Sequence, residues 1–172
     1  MTQNNEPFIF TSERLGYRLL RESDFDDYLL LDSDAKVRAF FPSGTLNAEQ
    51  VKTNIKKNMD FFMLNGFGVF IAIELLTGEF VGRCGFGAIP SGEIEVGYVF
   101  LPKFWGKGLA TEALITLLKW AKQKIHSVDE IIAFTPINHL ASQRVIHKAG
   151  MEFYKKDLKD EKECLFYKKH LR

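Results

Sequence analysis

The stretch that decides the fold runs from residue 93 to residue 121 and reads EIEVGYVFLPKFWGKGLATEALITLLKWA. Its first part, residues 95–101, is rich in Val, Tyr and Phe and predicts a β-strand. Pro102 ends this strand, because proline offers no N–H to a neighbouring strand. After a turn at residues 103–108, the apolar residues recur at helical spacing and predict a helix with one buried face. They are Leu109, Ala113, Leu114, Leu117, Leu118 and Ala121.

The Gly-Lys-Gly turn that opens this helix has the features of an anion site. The first amides of a helix lack partners, the helix dipole favours negative charge there, and Gly106 and Gly108 let a phosphate approach the backbone. The P-loop pattern GxxxxGK[ST] is absent. A dinucleotide fingerprint is half met, since Thr111 stands where the third glycine belongs and no acid closes the next strand. A nicotinamide cofactor is therefore disfavoured, and an ordinary strand-to-helix connection is the simpler alternative.

The rest of the chain alternates between strand and helix patterns. Strands are predicted at Phe8–Leu20, Phe67–Leu76, Glu79–Ala88, Glu130–Phe134, Met151–Asp157 and Glu163–His170, and helices at Ser23–Leu31, Leu46–Asn65 and Leu140–Lys148. Ser23 and Asn47 are the expected N-caps, and Gly66 and Gly150 the expected helix stops. This order predicts an α/β fold with one mixed sheet of about seven mostly antiparallel strands. Helices cover both faces, and a central parallel βαβ pair joins the strand at Glu95 to the strand at Ile131.

Length and composition limit the classes of protein. The 172 residues, with 46% hydrophobic and 26% charged residues, predict a single globular domain, residues 1–172, with a frayed polar arm at residues 1–7. A net charge of +1 gives no field that recruits nucleic acid or an acidic membrane. No apolar run is long enough to span a bilayer. Cys84 and Cys164 show no metal or CxxC spacing and no secretion signal precedes them, so we expect a cytoplasmic protein without a metal.

Three segments resemble the GNAT acetyltransferases, and in particular their RimJ/RimL-type branch. Residues 103–108, KFWGKG, are similar to the Q/R-x-x-G-x-G/A signature that binds acyl-CoA, and WGKGLATEA with EVGY upstream is similar to the branch. Residues 138–151, NHLASQRVIHKAGM, resemble its N-x-x-x-S-x-x-x-x-x-K-x-G-F segment, and residues 10–24, FTSERLGYRLLRESD, its TERLxLRxxxxxD opening. The chain departs from these patterns at Lys103, for Gln or Arg, and at Met151, for Phe.

The resemblance implies acetyl-CoA as the cosubstrate. Its pyrophosphate is expected at the glycine turn and its pantetheine arm between the two central strands, which splay apart in this family. Phe100 and Leu101 would bind the arm through their backbones, the Val99 N–H would polarise the thioester carbonyl, and Asn138 would cap the last helix and contact a pantetheine amide. The full set of expected cofactor-binding residues is Val99, Phe100, Leu101, Lys103, Gly106, Lys107, Gly108, Ala110, Thr111 and Asn138.

Two residues are the expected catalytic groups. Glu95 lies in the strand where several relatives place a general base, and Glu93 is the same-face alternative two residues away. Ser142 is expected to stabilise the leaving thiolate, because Val145 stands where many relatives carry a tyrosine acid. Tyr154 is a more distant substitute for that tyrosine. The competing interpretation is that Glu95 and Ser142 are polar surface residues without a catalytic role.

The expected acceptor is a primary amine. An α-amino group has a pKa of about 7.7–8.0 and a lysine one of about 10.4, so neutralising lysine costs roughly 3.5 kcal/mol more. A mild carboxylate base therefore favours the N-terminal amine of a protein or peptide, and a small amine stays open. Asp32, Asp34 and Arg38 are candidates to line the acceptor mouth of a monomer or homodimer. The alternative is an acyl-CoA-binding or sensor module without turnover.

Overall fold

The computed structural model describes residues 8–172, so the predicted arm at residues 1–7 lies outside the described residues. The strands are β1 (Phe10–Thr11), β2 (Leu15–Leu19), β3 (Val69–Glu74), β4 (Phe80–Ala88), β5 (Ile94–Phe100), β6 (Glu130–Pro136), β7 (Glu152–Lys159) and β8 (Lys162–His170). The helices are α1 (Phe25–Asp32), α2 (Ala48–Asn65), α3 (Leu109–Lys124) and α4 (Leu140–Lys148). The bounds of α4 are those that the sequence predicts.

These strands form one mixed sheet in the order β1-β2-β3-β4-β5-β6-β8-β7. In the part of the chain that the structure describes, β5 and β6 are parallel and the other neighbouring strands are antiparallel, which confirms the predicted βαβ pair. The parallel register consists of Glu95 opposite Ile132, whereas β4 and β5 stay in register along the whole of β5. Beyond this pair the described residues of β5 and β6 are no longer paired, which leaves a gap in the hydrogen bonding in the middle of the sheet.

Helices pack on both faces of the sheet, as the element order predicts. On one face Val96 and Phe100 of β5 join the large core that α3 completes, in which the rings of Phe70, Phe86 and Trp120 are packed 5.2–5.8 Å apart. On the other face α1 and α2 close a smaller core over β3. Because side chains alternate along a strand, Glu95 points to the face opposite that of Val96.

The predicted first strand, Phe8–Leu20, is two strands joined by a tight turn. The turn is held by the carboxylate of Glu112 from α3, which accepts hydrogen bonds from the Ser12 hydroxyl at 2.6 Å and from the Arg14 backbone N–H at 2.7 Å. Glu112 lies about a hundred positions from Ser12 and Arg14, so a local sequence pattern cannot predict this contact. The sheet consequently has eight strands in the described residues rather than about seven.

The predicted caps are partly correct. Ser23 is not an N-cap, because it lies inside a short 3-10 turn, Glu22–Asp24, where the Asp24 carboxylate accepts from the Arg21 N–H at 2.8 Å. The cap at Asn47 is confirmed, since its side chain accepts from the N–H of Gln50 at 2.9 Å. Gly66 ends α2 in the left-handed conformation, with φ of 74°, which favours glycine.

A buried ion-pair cluster ties the α1–α2 loop to the sheet. Asp32, fully buried at the end of α1, binds both terminal nitrogens of Arg83 from β4 at 2.8 and 2.9 Å and accepts from Arg38 at 3.3 Å. Arg38 also donates to the Gly44 carbonyl and the Ser43 hydroxyl, so one guanidinium fixes both ends of the loop. The expectation that Asp32 lines an acceptor mouth is therefore wrong, because its carboxylate is buried and paired with Arg83 and Arg38.

Replacing this carboxylate should destabilise the protein strongly. In Asp32→Asn two buried guanidinium groups lose their counter-ion, and we expect unfolding to become easier by about 3–5 kcal/mol. Urea denaturation measures the change. Asp26→Asn, an exposed position on the same helix, is the matched control and should stay within about 0.5 kcal/mol of the parent. Equal effects of the two substitutions would contradict a structural role for the cluster.

Candidate active site

The glycine turn between β5 and α3 leaves helix amides open. Gly106 and Gly108 both adopt left-handed φ values, 72° and 78°, and Gly108 is the N-cap of α3. A glycine has no side-chain oxygen with which to accept the first amides of a helix, and no other described side chain caps α3. The N–H groups of Leu109, Ala110 and Thr111 are consequently available to an anionic ligand.

Arg14 holds this turn in place. Its guanidinium donates to the Lys107 carbonyl at 2.8 Å and pairs with Glu112 in the first turn of α3 at 2.7 Å. The turn is thus clamped to the β1–β2 connection at one side and to its own helix at the other. Sequence reasoning placed Arg14 in the opening motif without a role, because the residues it contacts lie far along the chain.

A cavity of about 610 Å³ opens beside the turn, bounded by β5, the start of α3, the start of α4 and the α1–α2 loop. Six of the ten predicted cofactor-binding residues line it, namely Val99, Phe100, Gly106, Gly108, Ala110 and Thr111. Its wall is largely aromatic and aliphatic, and it carries the positive charges of Lys36, Arg144 and Lys148. The sequence prediction for the turn and the end of β5 therefore converges on one concave surface.

Three of the predicted residues, Leu101, Lys103 and Lys107, do not line the cavity. The Leu101 N–H donates to the Val81 carbonyl at 2.9 Å, so this amide does not reach a ligand. The Lys103 ammonium pairs with Glu79 at 2.6 Å. The Lys107 side chain is exposed and lies 5.5 Å from the ring of Phe104. Of these two lysines, Lys107 alone has no ion pair among the described residues, and it lies beside the glycines.

The hydrogen-bond pattern of β5 changes which backbone N–H we expect to donate to a thioester carbonyl. Because Leu101 donates to β4, alternation along the ladder directs the Val99 N–H to β4 as well, opposite Arg83. The N–H groups of Tyr98 and Phe100 point instead into the gap beside β6. The Phe100 carbonyl on that edge already accepts from the Trp105 indole N–H at 2.8 Å. The geometry therefore favours the amides of Tyr98 and Phe100 over that of Val99.

The N-cap of α4 differs from the prediction, although the bounds of the helix do not. Asn138 is exposed in the turn before the helix, and the N-cap position belongs to His139, so Asn138 does not cap α4. The ring of His139 stacks on Phe40 with centroids 3.8 Å apart and planes 7° apart, which joins α4 to the α1–α2 loop along the cavity. Burial lowers the pKa of His139 and favours its neutral form. No sequence signal connects these two residues.

Hydroxyl groups gather on the cavity face of the β5–β6 gap. Tyr98, which lines the cavity, interacts with Ser142 of α4; burial raises the pKa of Tyr98 and this hydrogen-bonding contact partly offsets the rise. Thr135 lies three residues beyond Ile132, as Tyr98 lies three beyond Glu95, so the two are level across the gap. The Thr135 hydroxyl is buried and has no partner among the described residues. Sequence reasoning found Ser142 and missed Tyr98, although strand alternation places it on the Val96 face.

Glu95 lies on the other face of the same gap. Its carboxylate covers Gly87, where a Cβ would come within 3.3 Å of Oε1, so the glycine makes room for it. Burial raises the pKa of Glu95 above its ordinary value near 4.5, while the Lys159 ammonium acts in the opposite direction. Glu93 accepts from the Ser91 hydroxyl at 2.7 Å and is the less available carboxylate. Tyr154 is packed on this face too, and so does not join Ser142.

The described residues, 8–172, contain neither a metal-binding group nor a membrane-spanning helix. In this range no group of three or more His, Cys, Asp or Glu side chains is arranged to hold a metal ion. No helix in the same range has the length and hydropathy needed to cross a membrane. Cys84 and Cys164 are both buried free thiols on different strands.

A gapped mixed sheet, with a helix-amide turn at one end of the gap and a half-buried carboxylate across it, is typical of an α/β acyltransferase. Residues 14–152 match the model of the acetyltransferase (GNAT) domain, and the chain belongs to this family. It is 31% identical over 153 residues to the uncharacterized N-acetyltransferase YnaD of Bacillus subtilis, covering 85% of each chain.

Solved structures agree with this assignment. The crystal structure of a GNAT-family acetyltransferase from Bacillus anthracis has a TM-score of 0.78 and 27% identity, covering 94% of this chain and 97% of that one. RimL, the ribosomal L7/L12 alpha-N-protein acetyltransferase, in complex with coenzyme A, has a TM-score of 0.75 and covers 94% of this chain and 97% of its own. At 15% identity, RimL shows a shared fold alone.

The raised pKa of Glu95 predicts a stability effect with a definite sign. Because the folded-state pKa lies above the unfolded value, the folded protein binds more protons between the two. The stability linked to this carboxyl is complete below the unfolded pKa and is lost as the pH rises through the folded pKa. Glu95→Gln should therefore be more stable than the parent at pH 7, by a margin that shrinks as the pH falls towards 4.5.

Urea denaturation at several pH values measures this margin. Glu152→Gln, an exposed position on β7, is the control and should change stability at pH 7 by no more than about 0.5 kcal/mol. If Glu95→Gln proved less stable than the parent at pH 7, the charged form of Glu95 would not destabilise the folded protein.

Proposed function

We propose that the chain is an acetyl-CoA-dependent N-acetyltransferase of the RimJ/RimL-like branch that transfers acetyl directly to a primary amine, with a protein or peptide N-terminus as the favoured acceptor. The single observation that carries the proposal is the continuity of the site. One cavity joins the open amides of α3 to the β5–β6 gap, and Glu95 lies on the far side of that gap.

The residues present fit acetyl-CoA as the cosubstrate. The amides that follow Gly108, with Lys107 beside them, suit a pyrophosphate, and the Thr111 hydroxyl at the same turn adds a donor. The apolar cavity wall suits the pantetheine arm, whose amides would meet the free edge of β5 at Tyr98 and Phe100. Support from outside the chain comes from RimL, which shares the fold and contains coenzyme A.

Each catalytic group has a task that follows from its place. Glu95 accepts a proton from the incoming ammonium, and its raised pKa makes it a better base than an exposed carboxylate. The amine nitrogen then bonds to the thioester carbonyl carbon, while an amide N–H of Tyr98 or Phe100 donates to the carbonyl oxygen. The C–S bond breaks, and the hydroxyls of Ser142 and Tyr98, which interact with each other, donate to the departing sulfur.

The choice of acceptor follows from proton affinity. Glu95 is the one carboxylate that we assign as base, and its pKa is raised by burial rather than by a second catalytic group. An α-amine, with a pKa of about 7.7–8.0, needs little help to lose its proton, whereas a free lysine at about 10.4 needs roughly 3.5 kcal/mol more. The site therefore supports N-terminal amines better than lysine side chains in solution.

The anion turn can be tested with two substitutions that strain the backbone equally. Gly106 and Gly78 have φ values of 72° and 73°, and at neither position would a Cβ come within 4 Å of another atom of the described residues. Each change to Ala should cost about 1 kcal/mol of stability. Only Gly106→Ala adjoins the cavity, and we expect it to weaken coenzyme A binding by roughly tenfold in isothermal titration, while Gly78→Ala binds like the parent. Equal affinities would place the pyrophosphate elsewhere.

Turnover tests the reaction itself. Acetyl-CoA with a panel of peptides carrying free N-termini should release free thiol, faster than N-terminally blocked peptides whose only amine is lysine. Glu95→Gln should lower kcat by about 10²–10⁴-fold and leave coenzyme A affinity unchanged, because the carboxylate acts on the amine. Tight coenzyme A binding with no thiol release from any amine would instead indicate a binding or sensor module.

A further inference from the structure

On the Glu95 face, β6, β7 and β8 present a group of aromatic rings to lysine ammonium groups. Phe134, Tyr154 and Phe166 pack together around Ile132 and Cys164. Lysines of the last hairpin lie over these rings: Lys155 at 4.9 Å from Phe166, Lys159 at 5.4 Å from Phe134, and Lys168 at 5.4 Å from Tyr154. Ring faces attract cations, so this surface holds primary ammonium groups from the chain itself.

Lys159 is distinguished from the other two lysines by its position. The ring beneath it, Phe134, lies two residues beyond Ile132, the partner of Glu95, and so borders the opening of the β5–β6 gap. The Lys159 side chain is 23% exposed and pairs with Asp160. Its ammonium is also near enough to Glu95 to act on the pKa of that carboxyl. A primary amine of this chain thus lies on the Glu95 face, at the opening of the gap that the proposed base borders.

The backbone holds Lys159 in this position. Lys159 and Lys162 form the last residue pair of the β7–β8 hairpin, so Lys159 is fixed by the sheet. The two residues between them, Asp160 and Glu161, both have positive φ values, 50° and 63°, as a two-residue turn of this twist requires. Such values cost energy in residues other than glycine, and the turn is kept tight nonetheless. This turn keeps the Asp160 carboxylate beside the Lys159 ammonium.

We propose that Lys159 is a site of self-acetylation, in which its own amine takes the acceptor position of the same chain. The proposal rests on the proposed function. Glu95 accepts one proton from the ammonium, and the nitrogen bonds to the carbonyl carbon of acetyl-CoA as the C–S bond breaks. The electron pair leaves on sulfur, the nitrogen loses its second proton, and one proton goes to the thiol. The products are Nε-acetyl-lysine at position 159, coenzyme A and one proton in excess.

The experiment uses the full-length protein incubated with acetyl-CoA and no other amine. Peptide mass spectrometry follows acetylation of Lys159 and, for comparison, of Lys162, the exposed lysine opposite it in the hairpin. We expect Lys159 to be modified first, with a first-order rate constant independent of protein concentration. Glu95→Gln should slow it by roughly a hundredfold. The matched control Lys162→Arg should keep the modification, and Lys159→Arg should remove the main acetylated peptide.

Each other outcome identifies the proposal that fails. Acetylation of N-terminal peptides with Lys159 unmodified would overturn self-acetylation and leave the proposed function intact. No transfer to any amine, Lys159 included, would overturn the proposed function itself. Equal modification of Lys159 and Lys162 that persists in Glu95→Gln would show uncatalysed chemical acetylation, and a rate proportional to protein concentration would show transfer between molecules; either result overturns the proposal.

Discussion

The structure depends on a parallel pairing that stops almost as soon as it begins. Glu95 opposite Ile132 is the registered contact between β5 and β6, and both strands are otherwise secured by antiparallel partners, β4 and β8. The sheet can therefore open in the middle without losing either strand. The open edge leaves backbone N–H groups of β5 unpaired, which would be costly unless a ligand or water satisfied them. A site for an extended, amide-containing ligand follows directly from this interruption.

The two ends of the gap are held by charged residues rather than by the core. Arg14 and Glu112 fix the glycine turn, and the Asp32 cluster with Arg38 and Arg83 fixes the loop that forms the opposite wall of the cavity. Guanidinium groups suit this task because one planar fork can bind a carboxylate and backbone carbonyls in defined directions. The apolar core stabilises the fold, and these clamps give the cavity its shape.

Local patterns predicted much of this, and their limits are physical. The helix after Gly108, the α4 bounds and the Asn47 cap follow from spacing and capping chemistry that act within a few residues. The split of the first strand, the pairing of Lys103 with Glu79, and the Phe40–His139 stack depend on contacts between distant segments. The motif assigns Lys103 to the ligand, yet its ammonium pairs with Glu79, an acidic residue in the connection before β4. The direction of each β5 amide likewise needed the register with β4.

A preference for α-amines and self-acetylation of a lysine are compatible, because proximity offsets proton affinity. Deprotonating lysine costs roughly 3.5 kcal/mol more than deprotonating an α-amine. A free acceptor, however, gives up about 4 kcal/mol or more of translational and rotational freedom on binding, a cost that Lys159 has already met through the fold. Phe134 and Asp160 hold its ammonium at the gap opening on the Glu95 face, so in the proposed reaction each encounter with acetyl-CoA begins with the acceptor already at the site. A lysine in solution has the full cost of deprotonation and is not positioned in advance by the fold. An N-terminal amine has a low cost of deprotonation, so it does not need to be positioned in advance.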